Sequence, residues 1–406
     1  SDSGTLARTF LERQLKTNRG DPYQSLMIHR AMSAEIPKMI DTGLFPAVKL
    51  IRPTEFKPWV SRFPSGKRRK YERAHAMIGA YKLPNPPRFT AMIKSDETLL
   101  HGEGVLPRCI IMNKPCRVVR LGPQVDAIQN YFKAFWNLDH KYTFTSGIRS
   151  EKIATVIAQF AHPIDVDYVG CDASHSIGMT HLRLAVLAQY FEDMLAKDEY
   201  LKGASSIIRN RFRELVCSII GKLRSGDLDT TIGNVIMQVL NLTIAAKLAK
   251  VSVSRYCFTG DDGAIDADAK LVPFLKWVAQ MQGMSVKVAV CDNYSMEYNS
   301  QMLMKVKPFH YDGMEITHVL TPKIARGLKR FYVKMDLPLN KQMRAANYCE
   351  MFGARNTPIL RAVHKHLQKE YGMVKDLNVS EYLLKINEAH KPYASNIVDI
   401  DEAYAD

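Results

Sequence analysis

The chain has 406 residues and 46.1 kDa, with 46% hydrophobic and 24% charged residues. That mixture excludes wholesale disorder and collagen-like repeats, and at roughly 150 residues per domain it predicts two to three units. Lysine and arginine outnumber aspartate and glutamate 56 to 41, giving a formal charge of +15. The surplus points to a polyanionic partner such as nucleic acid or an acidic membrane surface. Seven cysteines (109, 116, 171, 217, 257, 291 and 349) are odd in number and include no Cys-x-x-Cys pair. A zinc ribbon and a secreted disulfide framework are therefore not expected, and a reducing compartment is. The longest apolar run, Ile232 to Ala249, is interrupted by Asn234, Gln238, Asn241 and Lys247, so no transmembrane segment is expected in this chain. The opening Ser-Asp-Ser-Gly-Thr has neither an initiator Met nor a signal-peptide pattern, which fits a processed product or an excised domain.

In chain order, the first 60 residues mix helical periodicity with Pro-punctuated extended pieces. The basic cluster Gly66-Lys67-Arg68-Arg69-Lys70-Tyr71-Glu72-Arg73 starts a predicted helix. Six prolines between 83 and 123 predict irregular extended chain, because Pro interrupts helices and central strands alike. Helical spacing returns over Val125–Trp136, and residues 164 to 169 alternate as a strand. Helices are predicted over 178–197, 203–222 and 229–249. Ser254 to Phe258, a turn at Thr259 to Gly263, and Ala264-Ile265 predict a hairpin. The last 90 residues read as mostly helical and basic before an acidic tail.

Three segments carry candidate chemistry. Gly260-Asp261-Asp262 stands at the hairpin tip, where it fits either a carboxylate site for a hard divalent cation or an ordinary Gly/Asp turn. Asp167-Tyr168-Val169-Gly170-Cys171-Asp172-Ala173-Ser174 ends the predicted strand. Period-2 alternation alone sends its two carboxylates to opposite faces, and a bend at Gly170 brings the second back; a solvated strand end fits the segment as well. Ser225-Gly226-Asp227-Leu228-Asp229-Thr230-Thr231-Ile232-Gly233-Asn234 offers a Gly-permitted loop, Asp227 or Asp229 as helix cap, and Thr230 and Asn234 one turn apart on a helix face. The same pattern fits a plain N-cap with two polar residues facing solvent. His162, His175 and His181 lack carboxylate or thiol partners at metal-ligand spacing and read as structural.

Taken in order, these segments resemble the palm of the RNA-dependent RNA polymerases of positive-strand RNA viruses. Asp167/Asp172 match motif A (Asp-x4-Asp), Ser225-Gly226/Thr230/Asn234 match every fixed position of motif B, and Gly260-Asp261-Asp262 matches motif C. Gly283 to Lys287 resembles motif D, Met296 to Gln301 motif E, and Lys94 with Leu106 to Ile110 the basic motif F. The basic cluster and the motif B wording are similar to tombusvirus-like enzymes, whereas motif A follows the picornavirus form. A tombusvirus register would start at Asp172 and need a carboxylate where Ile177 stands, so Asp167 is preferred as metal ligand.

The resemblance implies an α+β right-hand fold with an antiparallel palm sheet and many helices. It places fingers at 1–160 and 181–222, palm at 161–180 and 223–312, and a mostly helical thumb with its tail at 313–406. It implies template-directed transfer of nucleotides from rNTPs, with two Mg²⁺ ions (Mn²⁺ as a substitute) on Asp167, Asp261 and, at the edge, Asp262. Lys287 is implied as general acid for the pyrophosphate. Asp172, Asn234, Ser225, Gly226 and Thr230 are implied around the ribose, and Lys94 and Arg108 on the triphosphate. Lys67, Arg68, Arg69 and Lys70 are expected on template RNA, although they also fit a solvated basic face; Lys323, Arg326, Lys329, Arg330 and Lys334 are expected on product duplex. Partners are then RNA, rNTPs and other viral replication proteins, in the host cytoplasm at membrane-associated replication sites reached through segments or partners outside this chain. A reverse-transcriptase-type polymerase and an inactive RNA-binding module of the same fold are the rival expectations.

Overall fold

The structure, a computed structural model, describes residues 3–9, 22–79, 83–93, 109–210, 216–292, 295–311, 313–323 and 358–371. It is a mixed α+β protein of two compact units, one formed by residues 1–144 and 166–290, the other by 145–165 and 291–406.

In the first unit, a four-stranded sheet has the order β2-β1-β5-β6, from β1 (Arg88–Ile93), β2 (Cys109–Asn113), β5 (Ser205–Arg209) and β6 (Val216–Ile220). Strand β1 runs antiparallel to β2 and parallel to β5, which pairs antiparallel with β6. Phe89, Ala91 and Ile93 alternate inward against Cys109, Ile111, Ile208 and Ile219 and form its core. The helix expected over 203–222 is thus a strand pair. Residues 205–209 bury only Ser206 and Ile208, which is the period of a strand rather than of a helix.

A five-stranded sheet has the order β3-β7-β8-β4-β9, from β3 (Tyr142–Phe144), β4 (Pro163–Val169), β7 (Val253–Thr259), β8 (Asp262–Ala267) and β9 (Ser285–Val290). The β7–β8 hairpin and strand β4 form where the sequence predicts them. The sheet is not purely antiparallel, because β3 joins β7 in parallel with Phe144 opposite Phe258. Its aromatic side packs Trp136 edge-on to Phe258 and Tyr142 edge-on to Tyr256.

Helix Thr230–Ala249 is the central element, with every residue from Ile232 to Ala245 buried. By length and composition it passes as a membrane span, contrary to the sequence expectation, but 78% of its apolar window is buried in the protein, as in a core helix. Helix Pro115–Phe135 begins ten residues before the predicted start at Val125. Pro115 occupies the first turn, where a missing N–H costs nothing, so proline density there marks a helix start. The helix predicted over 178–197 is two, Ile177–Ala188 and Met194–Leu201, the second capped by Asp193 on Leu195 and Ala196 N–H.

The second unit holds β10 (Glu297–Tyr298), β11 (Gln301–Tyr311) and β12 (Met314–Pro322) as an antiparallel sheet, with helix Ser150–Ile157 against β12. The motif-E-like segment forms the β10–β11 turn, where Asn299 and Ser300 take positive φ. The expected helical thumb therefore begins as a strand, and its described helix is Pro358–Tyr371. Lys323 pairs with Glu297 at 2.5 Å, while Arg326, Lys329, Arg330 and Lys334 lie outside the described residues.

A candidate carboxylate centre

The β7–β8 hairpin closes with Thr259 paired to Asp262, leaving Gly260 and Asp261 as a two-residue turn. Gly260 sits at φ +56, a left-handed conformation that glycine adopts without steric cost. Strand β4 lies beside the turn, and Tyr168 N–H donates to Asp261 O at 3.3 Å. After Val169 the chain bends at Gly170 (φ +60) into the short helix Cys171–Ser174, which returns Asp172 towards the same region. Three carboxylates converge there. The buried Cys171 thiol is pushed well above its ordinary pKa by burial first, and then by Asp172, Asp261 and Asp167 together.

Helix Thr230–Ala249 grips this centre through three polar side chains spaced four and three residues apart, hence on one face. Asn234 Nδ2 donates to Asp172 Oδ1 at 2.8 Å. Gln238 Nε2 donates to Gly260 O, while its Oε1 accepts from Tyr256 OH at 2.6 Å. Asn241 Nδ2 donates to Tyr168 OH at 3.1 Å. These polar interruptions of an apolar run are the contacts that tie both carboxylate-bearing segments to the core. The sequence carried the signal as a 4–3 spacing of amides.

Asp172 has its carboxyl pushed up to about 6, by burial first, with Asn234 opposing and Asp261 adding to the rise. Lys287 reaches Asp167 from β9, its Nζ 3.8 Å from Oδ2, with side chains 75% and 46% exposed. Contact this long between exposed groups contributes little to stability, so the lysine is placed without being fixed.

The loop before the central helix is held from beneath. Ser225 Oγ donates to Cys109 O at 3.1 Å, and Gly226 O accepts from Asn113 Nδ2 at 2.9 Å. A Cβ on Gly226 would lie 2.1 Å from Ile111 O, a backbone atom that cannot step aside. Gly226→Ala is therefore expected to cost about 1–3 kcal/mol in chemical denaturation, the range for overpacking; an unchanged midpoint contradicts this packing. Thr230 Oγ1 turns back to Arg224 O at 2.8 Å and Asp227 O at 2.9 Å, so its proton serves the loop.

Neither Asp227 nor Asp229 caps the helix with its side chain, as the spacing suggested. Both instead sit in a buried ionic network. Asp227 accepts from Arg224 Nε at 2.7 Å and lies 3.5 Å from Arg117, which also meets Glu199 at 3.0 Å. Asp229 accepts from Arg183 and from Tyr200 OH, the latter at 2.6 Å. Burial works against the Asp227 carboxylate, but Arg224, Arg117 and Arg183 outweigh it and hold its pKa below the ordinary value. The sequence reading missed these arginines, because charged residues are usually solvated.

Of the basic cluster, Arg68 folds back on Ser61 O (2.9 Å) and Phe63 O, and Lys67 lies 4.9 Å over the Phe63 ring. Arg69 and Lys70 are exposed and, with Arg73, line an open groove of about 480 Å³ closed by Met77, Pro115 and Cys116. Lys94 and Arg108 lie outside the described residues. Among the described residues, no group of three or more His, Cys, Asp or Glu side chains is arranged to hold a metal ion.

No protein-family model matches the chain, and no curated protein matches it significantly.

Proposed function

We propose that the chain is a viral RNA-dependent RNA polymerase of the right-hand fold, acting at the carboxylate centre. The observation that supports it best is the meeting of three separate sequence segments at one place: Asp167 and Asp172 on β4 and its bend, Asp261 on the hairpin turn, and Asn234 on the central helix. Asn234 bonding Asp172 favours the register in which Asp167 is the metal-facing residue.

The donor set suits a hard cation. Mg²⁺ commonly takes one or two carboxylates and completes its shell with water and substrate phosphates, so a protein cluster of three ligands is not required. Asp167 and Asp261, with Asp262 next in chain, would hold it, and the bound ion would supply charge neutralisation and a lowered pKa for an attacking hydroxyl. The protein's own residues then act as follows. Asp172, with one oxygen occupied by Asn234, presents the other to a ribose 2′-hydroxyl; a deoxy sugar leaves that polar pair without its partner. Lys287, exposed and held loosely near Asp167, is free to swing to a leaving pyrophosphate and donate a proton. Arg69, Lys70 and Arg73 offer phosphate contacts to template RNA.

The test is incorporation of labelled nucleotides on an RNA template with Mg²⁺. Synthesis from rNTPs supports the proposal; preference for dNTPs favours a reverse-transcriptase type, and RNA affinity without synthesis favours a binding module. Lys287→Leu is expected to slow turnover about 10²-fold, the lower range for general acid catalysis, with nucleotide affinity retained. Turnover equal to wild type removes the proton-donor role.

A further inference from the structure

His175 follows the carboxylate segment directly and is fully buried. Its backbone is pinned at both sides, since it ends the short helix Cys171–Ser174 and precedes Ser176, whose Oγ caps Met179 N–H at 3.2 Å. Its Nε2 lies 3.1 Å from Asn234 Oδ1, on the opposite side of the amide from Asp172. The two contacts make a chain, His175–Asn234–Asp172, in which the middle group can be read in either sense because an amide presents an oxygen at one end and a nitrogen at the other.

The direction of that chain depends on His175. Among the described residues Nδ1 has no hydrogen-bond partner, so a proton placed there would be a buried, unsatisfied donor, whereas a proton on Nε2 meets the Asn234 oxygen. Burial first, and then the nearby Arg183, keep the ring neutral, with a pKa lowered to about 3. A neutral ring with Nε2–H always donates. Asp172 gives no such guarantee, because a carboxyl near 6 gains and loses its proton around neutrality and accepts or donates accordingly. With His175 donating, Asn234 must turn its NH₂ to Asp172, which commits one carboxylate oxygen and leaves the other as the acceptor.

We propose that His175 is a positioning residue for sugar selection, fixing the Asn234 amide so that Asp172 is oriented towards the 2′-hydroxyl of an incoming ribonucleotide. This role rests on the polymerase reading above. It assigns a function to a histidine that its sequence spacing leaves as core.

The test compares rNTP and dNTP incorporation by wild type, His175→Leu, His175→Gln and Asn234→Ala on one RNA template. His175→Leu is expected to lower the ratio of kcat/KM for rNTP over dNTP about tenfold, by raising KM for the rNTP and leaving that for the dNTP unchanged. His175→Gln, which restores an N–H donor, should recover most of the ratio. Equilibrium binding of GTP against dGTP provides the same comparison without turnover, and covers a leucine variant that folds poorly through the glutamine one. An unchanged ratio in His175→Leu alongside a lowered ratio in Asn234→Ala overturns the role of His175 and leaves the polymerase reading standing. A wild type that incorporates no rNTP overturns both.

Discussion

Asp261→Asn is expected to reduce rNTP incorporation by about 10³-fold or more, with thermal stability within a few degrees of wild type. Charge stabilisation at a metal-assisted site is worth several kcal/mol, and about 1.4 kcal/mol corresponds to each tenfold in rate. Asp261 stands on a two-residue turn and is only partly buried, and one contact it makes to β4 uses its backbone carbonyl, which asparagine keeps. Surface substitutions usually change stability by about 0.5 kcal/mol or less, so a large loss of incorporation with little change in stability reports chemistry rather than folding. Asp167→Asn should behave alike. If both variants synthesise RNA at wild-type rates, the carboxylates have another purpose.

The second large effect concerns the network beneath the loop. Asp229→Ala is expected to cost about 3–5 kcal/mol, because it strands a charge that cannot reach water. Arg183 is 1% exposed; among the described residues its Nε and Nη2 already lack hydrogen-bond partners, and Asp229 is the carboxylate it meets. Tyr200 OH loses its acceptor in the same substitution. A loss of that size is a large part of the roughly 5–15 kcal/mol that folded domains possess. Urea denaturation measures it, and a midpoint indistinguishable from wild type contradicts the buried pairing. Since Asp229 immediately precedes the helix that carries Asn234, Gln238 and Asn241, the same variant should also lose activity beyond its unfolded fraction.

Local pattern was enough for some of this architecture. The alternation at 164–169, the turn residues at 259–263 and the long apolar stretch to Ala249 each specify one element through their own period, and each appears in place. The strand pair at 205–220 was illegible for a different reason. Ser205 to Arg209 is stabilised as a strand by β1, more than a hundred residues earlier, and nothing within the segment announces that partner. The parallel seam between β3 and β7 is likewise a long-range choice.

The candidate site divides in the same way. Its carboxylates and Asn234 are visible as motifs, because each falls at a fixed position of the pattern the sequence resembles. The groups that position them are not. Gln238, Asn241, Arg183 and His175 are ordinary residues until the fold shows which atoms they meet. Polar interruptions at helical spacing in an otherwise apolar run were the available clue, since a buried amide needs a partner worth finding.

Template copying at this centre, as proposed above, is tested most directly by omitting one nucleotide. On a defined RNA template with Mg²⁺ and three of the four rNTPs, product should stop one position before the first template base that calls for the missing one. Restoring the fourth rNTP should extend it to the template end. Product whose length is indifferent to the omitted nucleotide, or no product with all four present, contradicts template copying by this chain.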